Sequence, residues 1–297
     1  MAESGAERTN RDASKESGSS CSIDDRDAAS NRWVKRVWAA GSYEKIAPKY
    51  VSMGGQLIEE TDVDSDCTVL DVGCGTGTVA ITAARRGARV TGVDIQPALV
   101  AHARTSADIA AVNVSWRDAD ATALPFEANT FDVTLSNLGH MYGDPPETAA
   151  RELLRVTRPG GRVGFTAWTP TSLYPSMAGV IVTALSPAEL PDFSEPPFLW
   201  GDSGTVDRRL GDGVENLEFE TDTVQYPTLS PEHFWQEMAA HSGMVIEVLE
   251  AVTEDDVPGL KAQLIETIAS FFDDSENAVE LEYLRTTATV TESGEYR

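Results

Sequence analysis

Basic residues and long apolar runs are scarce in this chain of 297 residues. Lysine and arginine number 23 against 48 acidic residues, which gives a formal net charge of -25. Such a surface repels nucleic-acid phosphates and anionic lipids. No apolar run reaches the roughly 18 residues that span a bilayer, and the N-terminus does not resemble a basic, then apolar, signal sequence. We therefore expect a cytoplasmic protein that binds neither nucleic acid nor membrane.

Cysteine and lysine are also rare. The three cysteines, Cys21, Cys67 and Cys74, lack CxxC spacing and occur in a chain large enough to fold without disulfides. We expect reduced thiols and no metal site. Only five basic residues are lysines, and the acids are scattered along the chain. This pattern resembles proteins of salt-loving microbes, because carboxylates are well screened when the Debye length falls to about 3 Å at about 1 M salt. An ordinary acidic protein at physiological salt is the alternative.

The hydrophobic pattern divides the chain into a leader and one large domain. Residues 1–30 are rich in small and polar side chains, so we predict a disordered acidic and polar leader. From Trp33 onward apolar residues return at helical spacing, which predicts a single domain over 31–297. Its predicted parts are a cofactor-binding core over 31–170, a lid and acceptor region with a late strand over 171–280, and a final strand and tail over 281–297.

Short β-branched runs alternate with helical segments between residues 68 and 167, which predicts right-handed crossovers and a parallel sheet. The predicted strands are Thr68–Val72, Arg89–Val93, Asn113–Arg117, Phe131–Ser136, Arg162–Ala167, Leu217–Tyr226 and Tyr283–Thr291, and the predicted helices include Thr78–Arg86, Gln96–Ala107, Pro146–Val156, Pro231–His241 and Val257–Phe272. We therefore predict an α/β fold with a Rossmann-like, doubly wound, seven-stranded sheet. It would be mostly parallel with an antiparallel last strand, and would carry a helical C-terminal lid insertion.

A glycine-rich loop follows the first predicted strand. Gly73, Gly75 and Gly77 occupy every second position, so the backbone can turn sharply and approach a ligand closely. Asp94 ends the next strand, where a carboxylate can accept both hydroxyls of a ribose. NAD-binding loops have GxGxxG spacing and no carboxylate such as Asp71 near the pyrophosphate. The loop therefore favours a ligand with a cationic amino acid portion, such as S-adenosylmethionine (SAM), over NAD.

Five ordered segments extend this pattern over residues 33–170. They are Val69–Gly77 (VLDVGCGTG), Gly92–Ile95, Asp120–Phe126, Phe131–Val133 and Arg155–Gly161. Together they resemble class I SAM-dependent methyltransferases, and most closely the ubiquinone/menaquinone-methyltransferase-like subgroup (methyltransferase types 11 and 25). The resemblance implies methyl transfer from SAM to a small or medium organic acceptor through oxygen, carbon or nitrogen, with S-adenosylhomocysteine (SAH) as the product.

The resemblance also implies a role for each matching position. The glycines would surround the methionine portion under Tyr43, Asp94 would bind the ribose hydroxyls, and Asp120 would accept the adenine amino group. Ile95 and Ala121 would contact the adenine ring, and Asn137 and Leu138 would border the methyl group. The implied cofactor-binding residues are Tyr43, Asp71, Gly73, Gly75, Thr76, Gly77, Asp94, Ile95, Asp120, Ala121, Asn137 and Leu138.

Methyl transfer from a sulfonium is an in-line displacement, so the enzyme must mainly align the reactants and exclude water. His140 follows the fourth predicted strand and is the candidate base, unless it only lines the pocket or bonds to backbone. Apolar side chains would form the acceptor pocket or pack the lid, namely Trp38, Met141, Trp168 and Trp200. Two other functions stay open, a non-catalytic SAM- or SAH-binding protein on the same fold and an NAD-dependent oxidoreductase.

Overall fold

A computed structural model of the protein describes residues 23–186 and 190–292. One mixed β-sheet lies at the centre of the described structure. Its strands are β1 (Thr68–Val72), β2 (Arg89–Asp94), β3 (Val114–Asp118), β4 (Phe131–Asn137), β5 (Thr157–Trp168), β6 (Val214–Pro227), β7 (Phe272–Asp273) and β8 (Ala278–Val290).

The strand order confirms the predicted topology. The sheet runs β3-β2-β1-β4-β5-β8-β6, and the two-residue β7 pairs with the start of β8. Strands β1 to β5 are parallel to one another, whereas β8 is antiparallel to both β5 and β6. The order reverses at β1 and β4, and ligands bind in the crevice at such a point in open α/β sheets.

The helices surround the sheet and connect its strands. They are α1 (Ile23–Ala40), α2 (Tyr43–Ile46), α3 (Val51–Glu60), α4 (Thr78–Arg85), α5 (Pro97–Ala110), α6 (Pro146–Val156), α7 (Leu173–Ala184), α8 (Ser203–Leu210), α9 (Pro231–His241), α10 (Gly243–Ala251) and α11 (Val257–Ala269). The residues at the start of α9 explain why this helix begins where it does. The Ser230 side chain accepts from the His233 amide and Pro231 follows it, so α9 begins there.

Buried side chains cover both faces of the sheet. On one face, α3, α4 and α5 pack through residues such as Leu57, Val79 and Val100. On the other face, α6 and the helices after β5 bury Leu153 and Met177. The parallel strands are therefore apolar on both sides, as expected when helices cover both faces of a sheet.

Helix α1 begins before the predicted end of the leader. Residues 1–22 lie outside the described part of the chain, but residues 23–30 belong to α1. Ser30, Val34 and Val37 of this helix are buried, and Arg36 forms an ion pair with Glu247 of α10. Tertiary contacts therefore attach α1 to the rest of the domain from Ser30 onward.

The predicted lid region contains more helices than the sequence pattern suggested. Helices α7, α8 and α10 were not predicted, and β6 and β8 begin earlier than expected. Helix α7 has apolar side chains around most of its circumference, and α10 is short and contains several β-branched residues. Neither therefore has the amphipathic period on which helix prediction depends.

Candidate functional site

A cavity of about 160 Å³ lies at the carboxyl ends of β1, β2 and β4. Gly73 follows β1, Asp94 ends β2 and Asn137 ends β4, and all three line the cavity. Side chains of α1, including Val34 and Val37, form another part of its wall. The cavity therefore occupies the place that the sheet topology favours for a ligand.

The glycine loop forms the floor of the cavity in backbone conformations that suit glycine. Gly73 has φ +65° and Gly75 has φ +53°. A Cβ atom on Gly73 would lie 2.5 Å from the Cα atom of Gly139, and one on Gly75 would lie 3.2 Å from the Tyr43 ring. Gly77 also has positive φ but packs against Trp116 and does not line the cavity.

Asp71 lies behind the glycine loop, in a smaller cleft of about 40 Å³ that Thr76 also lines. This cleft shares Tyr43 and Gly75 with the main cavity. The Oδ2 atom of Asp71 accepts a hydrogen bond of 3.0 Å from the Ala80 amide. Burial raises the pKa of Asp71 to about 7, so a cation that enters this cleft would favour its charged form.

Asp94 is held in place by two backbone amides. Its Oδ2 atom accepts from the Gly75 amide at 2.8 Å, and its Oδ1 atom accepts from the Gln96 amide at 2.9 Å. Burial raises the pKa of Asp94, and these amide hydrogen bonds oppose the shift. Each carboxylate oxygen has two lone pairs, so Asp94 can also accept from two hydroxyls of a ligand.

Asp120 lies on the same wall, near Ala119 and Ala121. Its Oδ1 atom accepts from the amide and the hydroxyl of Thr122, both at 2.8 Å. Its Oδ2 atom accepts from the Asn31 side chain of α1 at 2.6 Å. An amide NH₂ group is the same kind of donor as the amino group of adenine. The Asn31 contact therefore shows that Asp120 can bind such a donor.

The segment after β4 has an unusual backbone. Leu138 has φ +67°, which is costly for a residue with a branched side chain. Its amide donates to the Thr166 carbonyl at 3.1 Å, and the close approach of Gly73 and Gly139 fixes the next residue. The Thr166 hydroxyl donates to Oδ1 of Asn137 at 2.7 Å. Backbone strain of this kind is common at functional sites, and here Asn137 and Leu138 both line the cavity.

Aromatic rings close the cavity beside the glycine loop. The Tyr43 ring packs edge-to-face on Trp38 with centroids 5.0 Å apart, and Trp38 packs in the same way on Tyr142 at 5.4 Å. Burial raises the pKa of Tyr43, and it raises the pKa of Tyr142 to about 12. Both phenols therefore stay neutral and can donate a hydrogen bond near neutral pH.

The far half of the cavity is apolar and aromatic. The rings of Tyr50 and Trp168 lie 5.4 Å apart, those of Trp168 and Tyr174 lie 5.2 Å apart, and the hydroxyls of Tyr50 and Tyr174 are hydrogen-bonded to each other. Lysine and arginine are absent from the described residues that line the cavity. The remaining lining residues of this half include Ile46, Met177, Ala178, Ile181, Phe198, Met238, Met244 and Val245.

The structure brings most of the residues predicted from the sequence to these two cavities. Eleven of the twelve predicted cofactor-site residues line the main cavity or the smaller cleft, and the twelfth, Gly77, packs behind the loop against Trp116. Those at the main cavity are Tyr43, Gly73, Gly75, Asp94, Ile95, Asp120, Ala121, Asn137 and Leu138, and those at the cleft alone are Asp71 and Thr76. Trp38 and Trp168 line the main cavity as predicted for the acceptor pocket.

His140 does not fit the role of a base. It is fully buried, and its ring packs between Phe165 and Trp200 with both centroid distances 4.5 Å. Neither ring nitrogen has a hydrogen-bond partner among the described residues. Burial lowers the pKa of His140 to about 3, and Arg209 adds to the shift. Like Met141 and Trp200, His140 is a core residue outside the lining of both cavities.

Several lining residues were not predicted from the sequence. Asn31, Tyr174 and His241 belong to α1, α7 and α9, which pack over the cavity from distant parts of the chain. Only Tyr142 carried a usable signal, because it follows β4 in the same segment as Asn137. No group of three or more His, Cys, Asp or Glu side chains that could hold a metal ion occurs within the described ranges.

Comparisons with known proteins agree with this architecture. Residues 69–161 match the family model described as a methyltransferase domain. Phosphoethanolamine N-methyltransferase 2 of Haemonchus contortus, solved with SAH, has a similar fold with a TM-score of 0.51 at 17% identity, over 81% of this chain and 53% of that chain. The fold is therefore that of the class I methyltransferases.

Two relatives share higher sequence identity with this chain. The uncharacterized protein Rv1405c of Mycobacterium tuberculosis is 31% identical over 265 residues, which cover 86% of this chain and 93% of that protein. The chain belongs to the same family as Rv1405c, and its own residues 69–161 match the methyltransferase domain. A malonyl-[acyl-carrier protein] O-methyltransferase of Erwinia pyrifoliae is 36% identical over 137 residues, which cover 46% of this chain and 50% of that enzyme.

Proposed function

We propose that this protein transfers a methyl group from SAM to a small or medium organic acceptor by in-line displacement. The observation that carries the proposal is one continuous cavity with two different walls. Asp94, Asp120 and the glycine loop form a polar wall at the sheet edge, and aromatic and aliphatic side chains form the opposite wall. The match to a methyltransferase domain supports the same function.

The residues of the polar wall suit the parts of SAM. Asp94 has lone pairs for the two ribose hydroxyls, and Asp120 already binds an amide donor where the adenine amino group would bind. Asp71 would face the ammonium group from the smaller cleft, while Tyr43 covers Gly75. When bound, SAM would supply a methyl carbon attached to a positively charged sulfur.

The apolar wall would contribute by alignment and by exclusion of water. Rigid rings such as Trp168 and Tyr174 lose little conformational freedom when they hold an acceptor. An acceptor fixed near the methyl carbon reacts as if it were present at very high concentration. The cavity lining therefore favours a compact acceptor that is mostly apolar.

Several finer features belong to the same proposal. The ordered motifs support a relationship to ubiquinone- and menaquinone-methyltransferases. The net charge of -25 supports a cytoplasm of high salt and argues against nucleic-acid partners. No helix within the described residues is long and apolar enough to cross a membrane.

Calorimetric titration with SAM, SAH and NAD tests the proposal. We expect micromolar binding of both sulfur ligands and none of NAD. Asp94→Ala should weaken SAH binding by about tenfold or more, because it removes hydrogen bonds to a carboxylate that contribute roughly 1.5–3 kcal/mol each. Asp118→Ala is the matched control, because Asp118 ends the neighbouring strand β3, is exposed and does not line the cavity.

The other outcomes would identify the alternative functions. Binding of SAH without any transfer to a broad acceptor panel would favour a non-catalytic SAM-binding protein. Binding of NAD instead of SAH would favour an oxidoreductase. Equal SAH affinity of wild type and Asp94→Ala would contradict the ribose assignment.

A further inference from the structure

His241 is a cavity residue with an unpaired nitrogen. It ends α9 and lines the main cavity. Its Nδ1 atom is buried and has no hydrogen-bond partner among the described residues. Buried polar atoms are nearly always paired, so an unpaired one calls for a bound molecule or a functional role. The cavity beside His241 can hold a bound molecule, and that molecule would give the nitrogen a functional role.

The backbone around His241 is held tightly. The Ser42 amide donates to the His241 carbonyl at 2.9 Å. A Cβ atom on Gly41 would lie 2.4 Å from the same carbonyl oxygen, so the turn before α2 packs directly against the turn after α9. The backbone position of His241 is therefore set by main-chain contacts that do not use its ring nitrogens.

These contacts place His241 between the two halves of the cavity. Ser42 precedes Tyr43, whose ring covers Gly75 on the cofactor wall. One turn earlier on α9, the Met238 sulfur lies 3.9 Å from the Tyr174 hydroxyl on the acceptor wall. His241 is thus linked by its backbone and by its neighbours on α9 to residues of both walls.

The other titratable residues of the cavity are unsuited to take a proton. Asp94 and Asp120 accept hydrogen bonds from the loop and from Asn31. Burial raises the pKa values of the four phenols in the wall, so these groups keep their own protons. Among side chains, histidine ordinarily exchanges a proton near neutral pH. The elements packed around His241 also carry charged side chains at Arg36, Glu44, Lys45, Glu237 and Glu247.

We propose that His241 is the general base for methyl transfer to a neutral, largely apolar hydroxyl compound of the phenol or enol kind. This inference rests on the proposed function. The acceptor O–H bond breaks and its proton moves to the imidazole, while the oxygen forms a bond to the methyl carbon. The C–S bond breaks with its electron pair on sulfur, which becomes a neutral thioether, and the imidazolium later loses its proton to solvent.

The charge of the cavity supports this class of acceptor. A carboxylate acceptor would have no proton to lose and would need a cationic partner when buried. Lysine and arginine do not occur among the described residues of the lining. A weakly acidic hydroxyl needs no such partner, but it becomes a good nucleophile only when a base removes its proton.

Two phenols of different acidity test the role of His241. With 2-naphthol, which is un-ionised near neutral pH, His241→Ala should lower kcat by about 100-fold, the usual contribution of a general base. With 4-nitrophenol, which is already ionised at mildly alkaline pH, the same variant should lose little activity. His241→Gln should be as slow as His241→Ala on 2-naphthol, because glutamine can hydrogen-bond but cannot take the proton. His102→Ala is the control, since His102 is an exposed histidine of α5.

A binding measurement supplies a readout that does not depend on turnover. In the SAH complex of the wild type, 4-nitrophenol should show increased phenolate absorbance at a pH near its own ionisation, because the imidazole can take its proton. His241→Gln should abolish this increase while calorimetry gives an unchanged affinity for SAH.

The outcomes separate this inference from the proposed function. Equal 2-naphthol turnover by wild type and His241→Ala would overturn the role of His241 and leave the methyltransferase intact. Transfer by the wild type to amines, thiols or carboxylates but to neither phenol would do the same. A wild type that binds no SAH would overturn the proposed function itself.

Discussion

The Nδ2 atom of Asn31 donates a hydrogen bond of 2.6 Å to Oδ2 of Asp120, and this contact joins α1 to the cofactor wall. A second contact, from the Gln96 side chain to the Lys35 carbonyl at 3.0 Å, lies one turn further along α1. The helix therefore covers the adenine end of the proposed cofactor site and uses the acceptor atom that adenine would need. Cofactor exchange is expected to require the Asn31 contact to break.

Replacing Asn31 by alanine should speed the binding of SAH. The variant removes a competitor for Asp120 and also an anchor of α1. We expect the association rate to rise about tenfold, because the Asn31 hydrogen bond to a charged group, which contributes about 1.5 kcal/mol, no longer has to break before adenine reaches Asp120. Stopped-flow tryptophan fluorescence can follow the exchange, since Trp38 lines the cavity. The exposed Asn113→Ala variant is the control, and an unchanged rate for Asn31→Ala would mean that α1 does not limit exchange.

We predict from the raised pKa of Asp71 that the affinity for the cofactor depends on pH. Because burial raises its pKa to about 7, the carboxyl group is protonated below this pH and charged above it. The ammonium group of SAH prefers the charged form, so SAH affinity should rise as the pH increases from about 6 to about 8 and then level off. Calorimetry in buffers of different ionisation enthalpy should detect a proton released on binding near pH 7.

The isosteric variant Asp71→Asn separates this effect from other titrating groups. It should bind SAH more weakly than the wild type and lose most of the pH dependence, whereas His241→Gln should keep it. A wild-type affinity that is constant across this pH range would contradict the assignment of Asp71 to the ammonium group.

We predict that His140 makes the folding stability sensitive to acid and that it takes no part in catalysis. Its pKa is about 3 in the folded protein, below the ordinary histidine value of about 6.5. The unfolded chain therefore binds an extra proton between these values, and folding stability should fall as the pH decreases from about 6.5, by up to about 1.4 kcal/mol per pH unit. His140→Phe should flatten this dependence and keep wild-type turnover. A large loss of turnover with normal folding would restore His140 as a candidate base.

The parallel core could be predicted from the sequence because its signals are local. Each strand, turn and helix between Thr68 and Trp168 is marked by adjacent residues, and the carboxyl ends of parallel strands meet at one edge. Strand order therefore places Gly73 and Asp94 together, and the resemblance to class I methyltransferases adds Asp120 to them.

The cover of the cavity could not be predicted in the same way. The sequence predicts α9 and indicates helical spacing from Trp33 in α1, but the packing of both helices over the site depends on tertiary contacts, and α7 and α10 also lack an amphipathic period. The two histidines illustrate the difference. His140 is close in sequence to the sheet edge, but its ring packs between Phe165 and Trp200. His241 is a hundred residues away along the chain and lines the cavity.

The ion pairs of Arg285 lead to a prediction of how the acidic side chains affect the free energy of unfolding. It lies on β8 with only 3% of its side chain exposed, and it forms ion pairs with Glu60 and Glu220 and a longer one of 3.6 Å with Asp222. Arg285→Met would leave three acidic groups without their shared cation. We expect a loss of about 1–2 kcal/mol in the free energy of unfolding at low salt, less than for a fully buried pair, because the three carboxylates are 36–64% exposed and can regain water. Urea unfolding at matched pH measures this loss.

Salt distinguishes the repulsion among these acids from a simple loss of packing. Repulsion is screened when the Debye length shrinks, so the deficit of Arg285→Met should decrease between about 0.1 and about 2 M KCl, and the wild-type midpoint should itself rise. Arg158→Met is the control, because Arg158 is 59% exposed in its pair with Asp132 and such pairs contribute less than about 1 kcal/mol. A deficit that stays constant with salt would assign the effect to packing, and a constant wild-type midpoint would favour an ordinary acidic protein over a halophilic one.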